Sequence, residues 1–148
     1  MTVDELCRGH RRLALDSNLL IYLFETGGPE ARAAQRLLDA AEAAGASLVV
    51  ASLALAEVSV YPAAIDDAVT AERYADAIRS ISRLEVVPLT AEIAIEAGLM
   101  RGRRSHSLPD AIHLATAVRA GASVFVTNDR RLRAIPKLAV VQLSDLVA

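Results

Sequence analysis

Apolar residues in this chain occur either in short unbroken runs or in longer stretches where they recur every three or four positions. Short runs suit strands buried on both faces, and the recurring pattern suits amphipathic helices. The first run, Leu13-Ala14-Leu15, stops at Asp16-Ser17-Asn18, and a second apolar run follows at once. This predicts a strand over Leu13–Asp16 and a short helix over Asn18–Glu25, with Ser17 or Asn18 able to cap it. Thr26-Gly27-Gly28-Pro29 is turn chemistry, and Pro29 suits the first turn of the next helix. Across Glu30–Ala44, the residues Ala33, Ala34, Leu37, Leu38 and Ala41 share one helical stripe that Gly45 closes.

Leu48–Val50 reads as a second buried strand. Ser52 then opens a helix over Leu53–Tyr61, which Pro62 follows; nearly every residue in it is apolar, so burial on all sides is expected. Asp66–Arg83 is a longer amphipathic helix, with Ala68, Ala71, Ala75 and Ile78 inward. Leu84–Pro88 is a third strand, ended by proline and so placed at a sheet edge. Thr90 can cap a helix running to about Arg101, and Gly102–His106 is a basic loop. Ser107, with Asp110 three residues on, has the capping-box pattern, and Gly121 ends that helix. Ser123–Val126 is a fourth strand, stopping in Thr127-Asn128-Asp129 just as the first stops in Asp16. Leu138–Val141 and a short helix from Ser144 follow. Residues 1–11 are polar with little periodicity and read as an extension ahead of a single domain over residues 12–148. Strands alternating with helices predict an α/β domain whose mainly parallel sheet is covered on both faces.

Composition narrows the class. At 148 residues the chain can bury a core without staples. Its hydrophobic fraction of 53% and mean hydropathy of +0.34 are high, yet much of that is helical alanine. No apolar run approaches the ~20 residues that span a bilayer, so no membrane partner is expected. The first ten residues lack a secretory signal, and the single cysteine, Cys7, fits a reducing cytoplasm. A formal net charge of −2 gives no overall basic signal. Arginine supplies all the positive side chains except Lys137, in clusters at Arg8-Arg11-Arg12, Arg101-Arg103-Arg104 and Arg130-Arg131-Arg133. Such clusters are either solvated surface or phosphate contacts. The last two flank the acids Asp110 and Asp129, which makes Arg101, Arg103, Arg104, Arg130 and Arg131 the candidates for contacting phosphate.

Four acids stand out by position: Asp16 and Asp129 at strand tips, Glu57 within an apolar helix, and Asp110 at a helix start. Each also has a plainer reading. Asp16 and Asp110 can be helix caps, and Glu57 can lie on a narrow solvent edge beside Ser59. In a parallel sheet, however, strand tips and the helix starts that follow them lie on one rim. Carboxylates gathered there repel one another, and a hard divalent cation such as Mg²⁺ or Mn²⁺ resolves the repulsion through oxygen ligands. No cysteine–histidine spacing points to zinc. His10, His106 and His113 are scattered, and each reads as a surface or supporting residue rather than a metal ligand.

At these positions the chain resembles the PIN-domain ribonucleases, most closely the toxins of VapBC-type toxin–antitoxin pairs. The matching stretches are Leu15–Tyr22, Ser52–Val58, Leu108–Ala117 and Val126–Asp129, in the family's order. The resemblance implies a three-layer α/β/α sandwich around a five-stranded parallel sheet of order 3-2-1-4-5. It implies a pocket in which Asp16, Glu57, Asp110 and Asp129 bind Mg²⁺ or Mn²⁺ and cleave single-stranded RNA, with Ser17, Asn18 and Thr127 in support. A metal held by Asp16, Asp110 and Asp129 would activate water and polarise the phosphate, while Glu57 ligates or orients that water. It further implies a homodimer and a cognate antitoxin protein as partners. Arg131 and Leu132 stand where many members carry a further acid and an aromatic, and Ser17 stands where threonine is commoner.

Rivals are weaker. A phosphoryl-accepting receiver domain needs a lysine beyond the strand hydroxyl, and Lys137 comes where the last strand is only beginning. A haloacid-dehalogenase-type phosphatase needs a second aspartate two residues after the first, where Asn18 stands. The remaining alternative is a catalytically weak PIN scaffold that binds RNA or a protein partner.

Overall fold

Successive side chains on a strand point to opposite faces, so a strand buried on both sides must supply an apolar residue at every position. The computed structural model, which describes residues 1–24, 27–103 and 106–148, shows this in its central strand, β1 (Arg12–Leu15). Leu13 and Leu15 face one layer of helices, and Ala14 faces the other. β2 (Ser47–Ala51), β3 (Leu84–Val87), β4 (Val124–Thr127) and β5 (Ala139–Gln142) complete an all-parallel five-stranded sheet of order β3-β2-β1-β4-β5. Its register aligns Ala14 with Val49 on one side and Phe125 on the other. The expected sandwich and strand order are therefore both present. β3 lies at an edge, as its terminal proline predicted.

One layer holds α1 (Val3–Gly9), α2 (Ser17–Phe24) and α3 (Pro29–Ala44), whose Leu6, Leu19 and Leu37 bury against Leu13, Leu15, Val124 and Val126. The other holds α6 (Ala91–Arg103) and α7 (Leu108–Arg119), whose Ile93, Ala97, Leu114 and Ala115 bury against Ala14, Val49 and Phe125. α4 (Leu53–Ala64) and α5 (Ala68–Arg79) pack through Ala54, Val58 and Ile78 onto Val50 and Leu20. A single 3-10 turn over Leu143–Asp145 follows β5.

Several boundaries differ from the sequence reading, each for a local reason. The stretch read as a polar extension is helix α1, closed at Thr2 by a full capping box with Glu5, and its Val3, Leu6 and Cys7 are buried in the core. Pairing of Val3 N–H with the Val147 carbonyl (3.2 Å) further ties this segment to β-like structure at residue 147. α4 continues past Pro62 to Ala64, because a proline in the last turn breaks little of the hydrogen-bond ladder. The next helix begins at Ala68, two residues later than expected, because Asp66 adopts φ 61° and Asp67 caps α5 through Thr70 N–H at 3.0 Å. That helix stops at Arg79, and Ala68 is exposed rather than inward. α4 is not buried all round either: Val60 and Tyr61 are exposed, as are Ile65 and Val69 beyond it. The expected end of α2 at Glu25 and the turn residue Thr26 lie outside the described residues.

The role of α1 is testable. Leu6 is 1% exposed, so Leu6→Ala should lower unfolding free energy by about 2–5 kcal/mol in urea denaturation. A loss below about 0.5 kcal/mol would mean that the helix is peripheral to the core.

Candidate metal centre at the carboxyl rim

Asp16 follows β1 directly, and its backbone N–H donates to the Val126 carbonyl at 3.0 Å, which locks it to the end of β4. Its side chain is buried, and every oxygen has a donor. Oδ2 accepts from Thr127 Oγ1 at 2.6 Å, and Oδ1 accepts from the Ser17 backbone N–H at 2.8 Å. Thr127 is fully buried and is the hub of the site. Its hydroxyl also accepts the Asp129 N–H at 2.9 Å and lies 3.5 Å from Asn18 Nδ2. Asp16 therefore does not act as a side-chain cap deep in α2; it is clamped between two strand tips.

Asp110 sits in the first turn of α7. The capping there is done by Ser107, whose Oγ accepts Asp110 N–H at 3.3 Å, and among the described residues no hydrogen bond returns from the Asp110 carboxylate. That carboxylate is half-buried, and its charge is felt at Asp16, His113 and Arg131. Glu57 is half-buried on α4 and bonds His113 Nε2 at 2.5 Å. Asp129 is held by Arg131 through its backbone N–H (3.0 Å), Nε (3.0 Å) and Nη2 (2.8 Å).

These placements set the electrostatics. Burial raises the pKa of Asp16, and the neighbouring Asp110 charge adds to that; the hydrogen bonds from Thr127 and Ser17 and the charge of His113 only partly offset it. For Glu57, burial works upward too, but the His113 hydrogen bond and charge, with help from Ser17, bring its pKa below the ordinary value. His113 shows the mirror image: burial disfavours its charge, and Glu57, Asp16 and Asp110 outweigh burial and raise its pKa. Asp129 is lowered, chiefly by the Arg131 hydrogen bond.

The structure thus brings Asp16, Asp110, Glu57, Ser17, Asn18 and Thr127 to one end of the sheet, with Asp129 adjoining through Thr127. It does not preassemble them: among the described residues, no three His, Cys, Asp or Glu side chains are gathered closely enough to hold a metal ion. Two of the four acids are instead engaged by basic groups of the chain itself, Glu57 by His113 and Asp129 by Arg131. The donor chemistry still fits a hard cation. Every candidate ligand is an oxygen, and among the described residues the buried Oδ1 of Asn18 and Oε1 of Gln142 have no hydrogen-bond partner.

The arginine candidates divide. Arg101 and Arg103 are exposed at the end of α6, whereas Arg130 bonds Asp145 at 2.7 Å and Arg131 is committed to Asp129. Arg104 lies outside the described residues. One supporting residue was left open in the sequence reading between surface and support, and another escaped it. His113 is buried, not superficial, one helical turn beyond Asp110 on the same face of α7. Gln142 ends β5 and donates to the Asp129 carbonyl at 3.1 Å. The Asp110-x-x-His113 spacing was the available signal for the first; nothing local marked the second. His106 is also buried, and among the described residues its Nδ1 has no hydrogen-bond partner.

The model of the PIN domain family matches residues 13–138. The chain belongs to the PIN-domain family. Among solved structures, this PIN domain is similar to a toxin–antitoxin complex from Klebsiella pneumoniae, at 26% identity and TM-score 0.63, covering 86% of this chain and 95% of that one. It is similar to VapBC2 from Rickettsia felis, bound to a promoter DNA fragment, at 18% identity and TM-score 0.65 over 88% of this chain and 98% of that one. It is also similar to the sarcin-ricin-loop-cleaving toxin VapC20 of Mycobacterium tuberculosis, at 20% identity and TM-score 0.61 over 76% and 86% of the two chains. No curated protein matches the sequence. Among the described residues of the PIN domain, no helix is long and apolar enough to cross a membrane.

The raised pKa of Asp16 fixes a sign. The folded protein keeps this proton to higher pH than the unfolded chain does, so ionisation costs the folded state, and stability falls as pH rises above the ordinary carboxyl value of 3.8. Asp16→Asn should therefore melt at or above the wild-type temperature at pH 8 in metal-free buffer. The gain should vanish as pH falls toward 4. Calorimetry showing the variant less stable at pH 8 than at pH 4, relative to wild type, would contradict the assignment.

Proposed function

We propose that this PIN domain is a metal-dependent ribonuclease acting on single-stranded RNA, and that it serves as the toxin of a toxin–antitoxin pair. The observation that carries the proposal is the buried Asp16 clamped by the Thr127 hydroxyl at 2.6 Å, its pKa raised by burial and, in smaller part, by the Asp110 charge. A buried, ionisable carboxylate beside a second acid is costly unless a cation shares it.

Asp16, Asp110 and Asp129 would hold Mg²⁺ or Mn²⁺, which supplies an activated water and polarises the scissile phosphate. The chain's own residues do the rest. Thr127 and the Ser17 backbone fix the direction of Asp16. Glu57, kept ionised by His113 and Ser17, orients the attacking water. His113, buried against Phe125 at a 6.5 Å ring separation, gives Glu57 a rigid support. Arg101 and Arg103 are placed to hold the flanking backbone, and Arg130 and Arg131 can do so only by exchanging their present carboxylate partners.

Two further partners belong to the proposal. Glu57 opens onto an apolar groove of about 330 Å³ lined by Ile21, Phe24, Tyr61 and Tyr74, with Phe24 and Tyr74 stacked at 4.2 Å. An apolar antitoxin segment seated there would cover the acids. The exposed Val60, Tyr61, Ile65 and Val69 make a patch suited to a homodimer. The toxin–antitoxin assemblies among the similar structures support the first of these partners.

A second reading, a catalytically weak scaffold, is favoured by one feature: the grip of Arg131 on Asp129. RNase assays decide between them. Cleavage should require Mg²⁺ or Mn²⁺ and stop in EDTA. Asp110→Asn should abolish it while circular dichroism shows the fold intact, and Thr127→Val should reduce it by about 10–100-fold. Full activity in Asp110→Asn, or activity in EDTA, would overturn the mechanism; RNA binding without cleavage at any metal concentration would establish the scaffold.

A further inference from the structure

The amino ends of the strands, at the pole opposite Asp16 and Thr127, carry a concentration of positive charge that the reading above does not use. Arg8 at the end of α1, Arg11 and His10 beyond it, Arg12 at the start of β1, and Arg83 ahead of β3 line one polar cleft of about 580 Å³. Four guanidinium groups and an imidazole thus come together from two distant parts of the sequence. Among the described residues, the one carboxylate paired with them is Glu85, 3.6 Å from Arg12 Nη1.

Two of the arginines are built into the wall. Arg12 donates from Nη1 to the Ala120 carbonyl at 2.8 Å and from Nε to Ser47 Oγ at 3.2 Å. Arg83 adopts φ 62°, a left-handed conformation that non-glycine residues seldom take. Its Nε and Nη2 donate to the Ala46 and Gly45 carbonyls at 2.7 and 2.6 Å. These bonds hold both guanidinium groups in place and, among the described residues, leave Arg12 Nη2 and Arg83 Nη1 without a protein partner. Arg8 and Arg11 are exposed and make no ion pair among the described residues. His10 is fixed by its Nδ1 to Ser123 Oγ at 2.7 Å.

We propose that this cleft is a second, metal-independent binding site, and that its ligand is a phosphate group. Planar guanidinium forks match phosphate oxygens, two of them are already immobilised, and the crowded like charges are relieved by a polyanion. The phosphate can belong to an RNA backbone or to a small free phosphate compound. The site does not depend on the carboxyl-rim acids, so it stands or falls separately from the nuclease reading.

The test uses the full chain in EDTA, with Arg8→Gln/Arg11→Gln as the variant because neither side chain supports the fold. A fluorescent single-stranded RNA and inorganic pyrophosphate are the two probes. If RNA is the source, the variant binds the oligonucleotide more weakly, and the slope of log affinity against log salt shrinks by about 1.4, or roughly 0.7 per lost contact. If a free phosphate compound is the source, pyrophosphate raises the melting temperature of the wild type and not of the variant. Either result supports the site and identifies its ligand. Wild-type behaviour of the variant toward both probes overturns it. So does an equal loss in Arg36→Gln/Arg73→Gln, two exposed arginines at neither site, which would reduce the effect to net charge.

Discussion

The hydrogen bond from Thr127 to Asp16 joins the tips of the two central strands, and the rest of the carboxyl rim is arranged around it. A fully buried hydroxyl must use its donor, and a buried carboxylate must have one; each residue satisfies the other. The same hydroxyl accepts the Asp129 N–H, so one threonine sets the positions of two acids. This explains why β1 and β4 must be adjacent and in register, with Leu15 beside Val126. A slip of one residue would turn Thr127 to the other face of the sheet and leave Asp16 buried without a donor.

Around that bond the site is an exercise in charge balance. Burial and the Asp110 charge disfavour the ionised form of Asp16, while Glu57 is paired with His113 and Asp129 with Arg131. The two halves differ in commitment. His113 is buried and fixed, so its pairing with Glu57 is a permanent part of the wall. Arg131 is exposed and grips Asp129 from solvent, where such pairs contribute little net stability. Under the proposed function, Asp129 would therefore exchange its guanidinium for a metal ion at small cost, so the ligands need not be gathered before the ion binds.

How much of this the sequence announced depends on the range of the interactions. Leu13, Leu48 and Val124 marked buried strands because a sheet covered on both faces leaves no polar position. The acids at strand tips were legible because Asp16 and Asp129 interrupt apolar runs. Helix α1 was missed although Thr2 and Glu5 form a capping box, because only three apolar residues face inward over so short a span. The apolar α4 misled in the opposite sense: composition predicts burial, but Tyr61 and Val60 lie on an outer surface that a single chain does not cover. The Glu57–His113 and Asp129–Arg131 pairs were not legible. The first spans 56 residues, and the second is a choice between two partners for one carboxylate that only the folded geometry decides.

The central claim is that Asp16 and its neighbours share a divalent cation, and direct titration of metal-free protein with Mn²⁺, followed by electron paramagnetic resonance of the free ion, tests it without any substrate. The account predicts saturable binding of at least one ion per chain, markedly weakened in Asp16→Asn and strengthened in Arg131→Ala, which releases Asp129. Free Mn²⁺ that tracks the added total in the wild type, or binding that Asp16→Asn leaves unchanged, would contradict it.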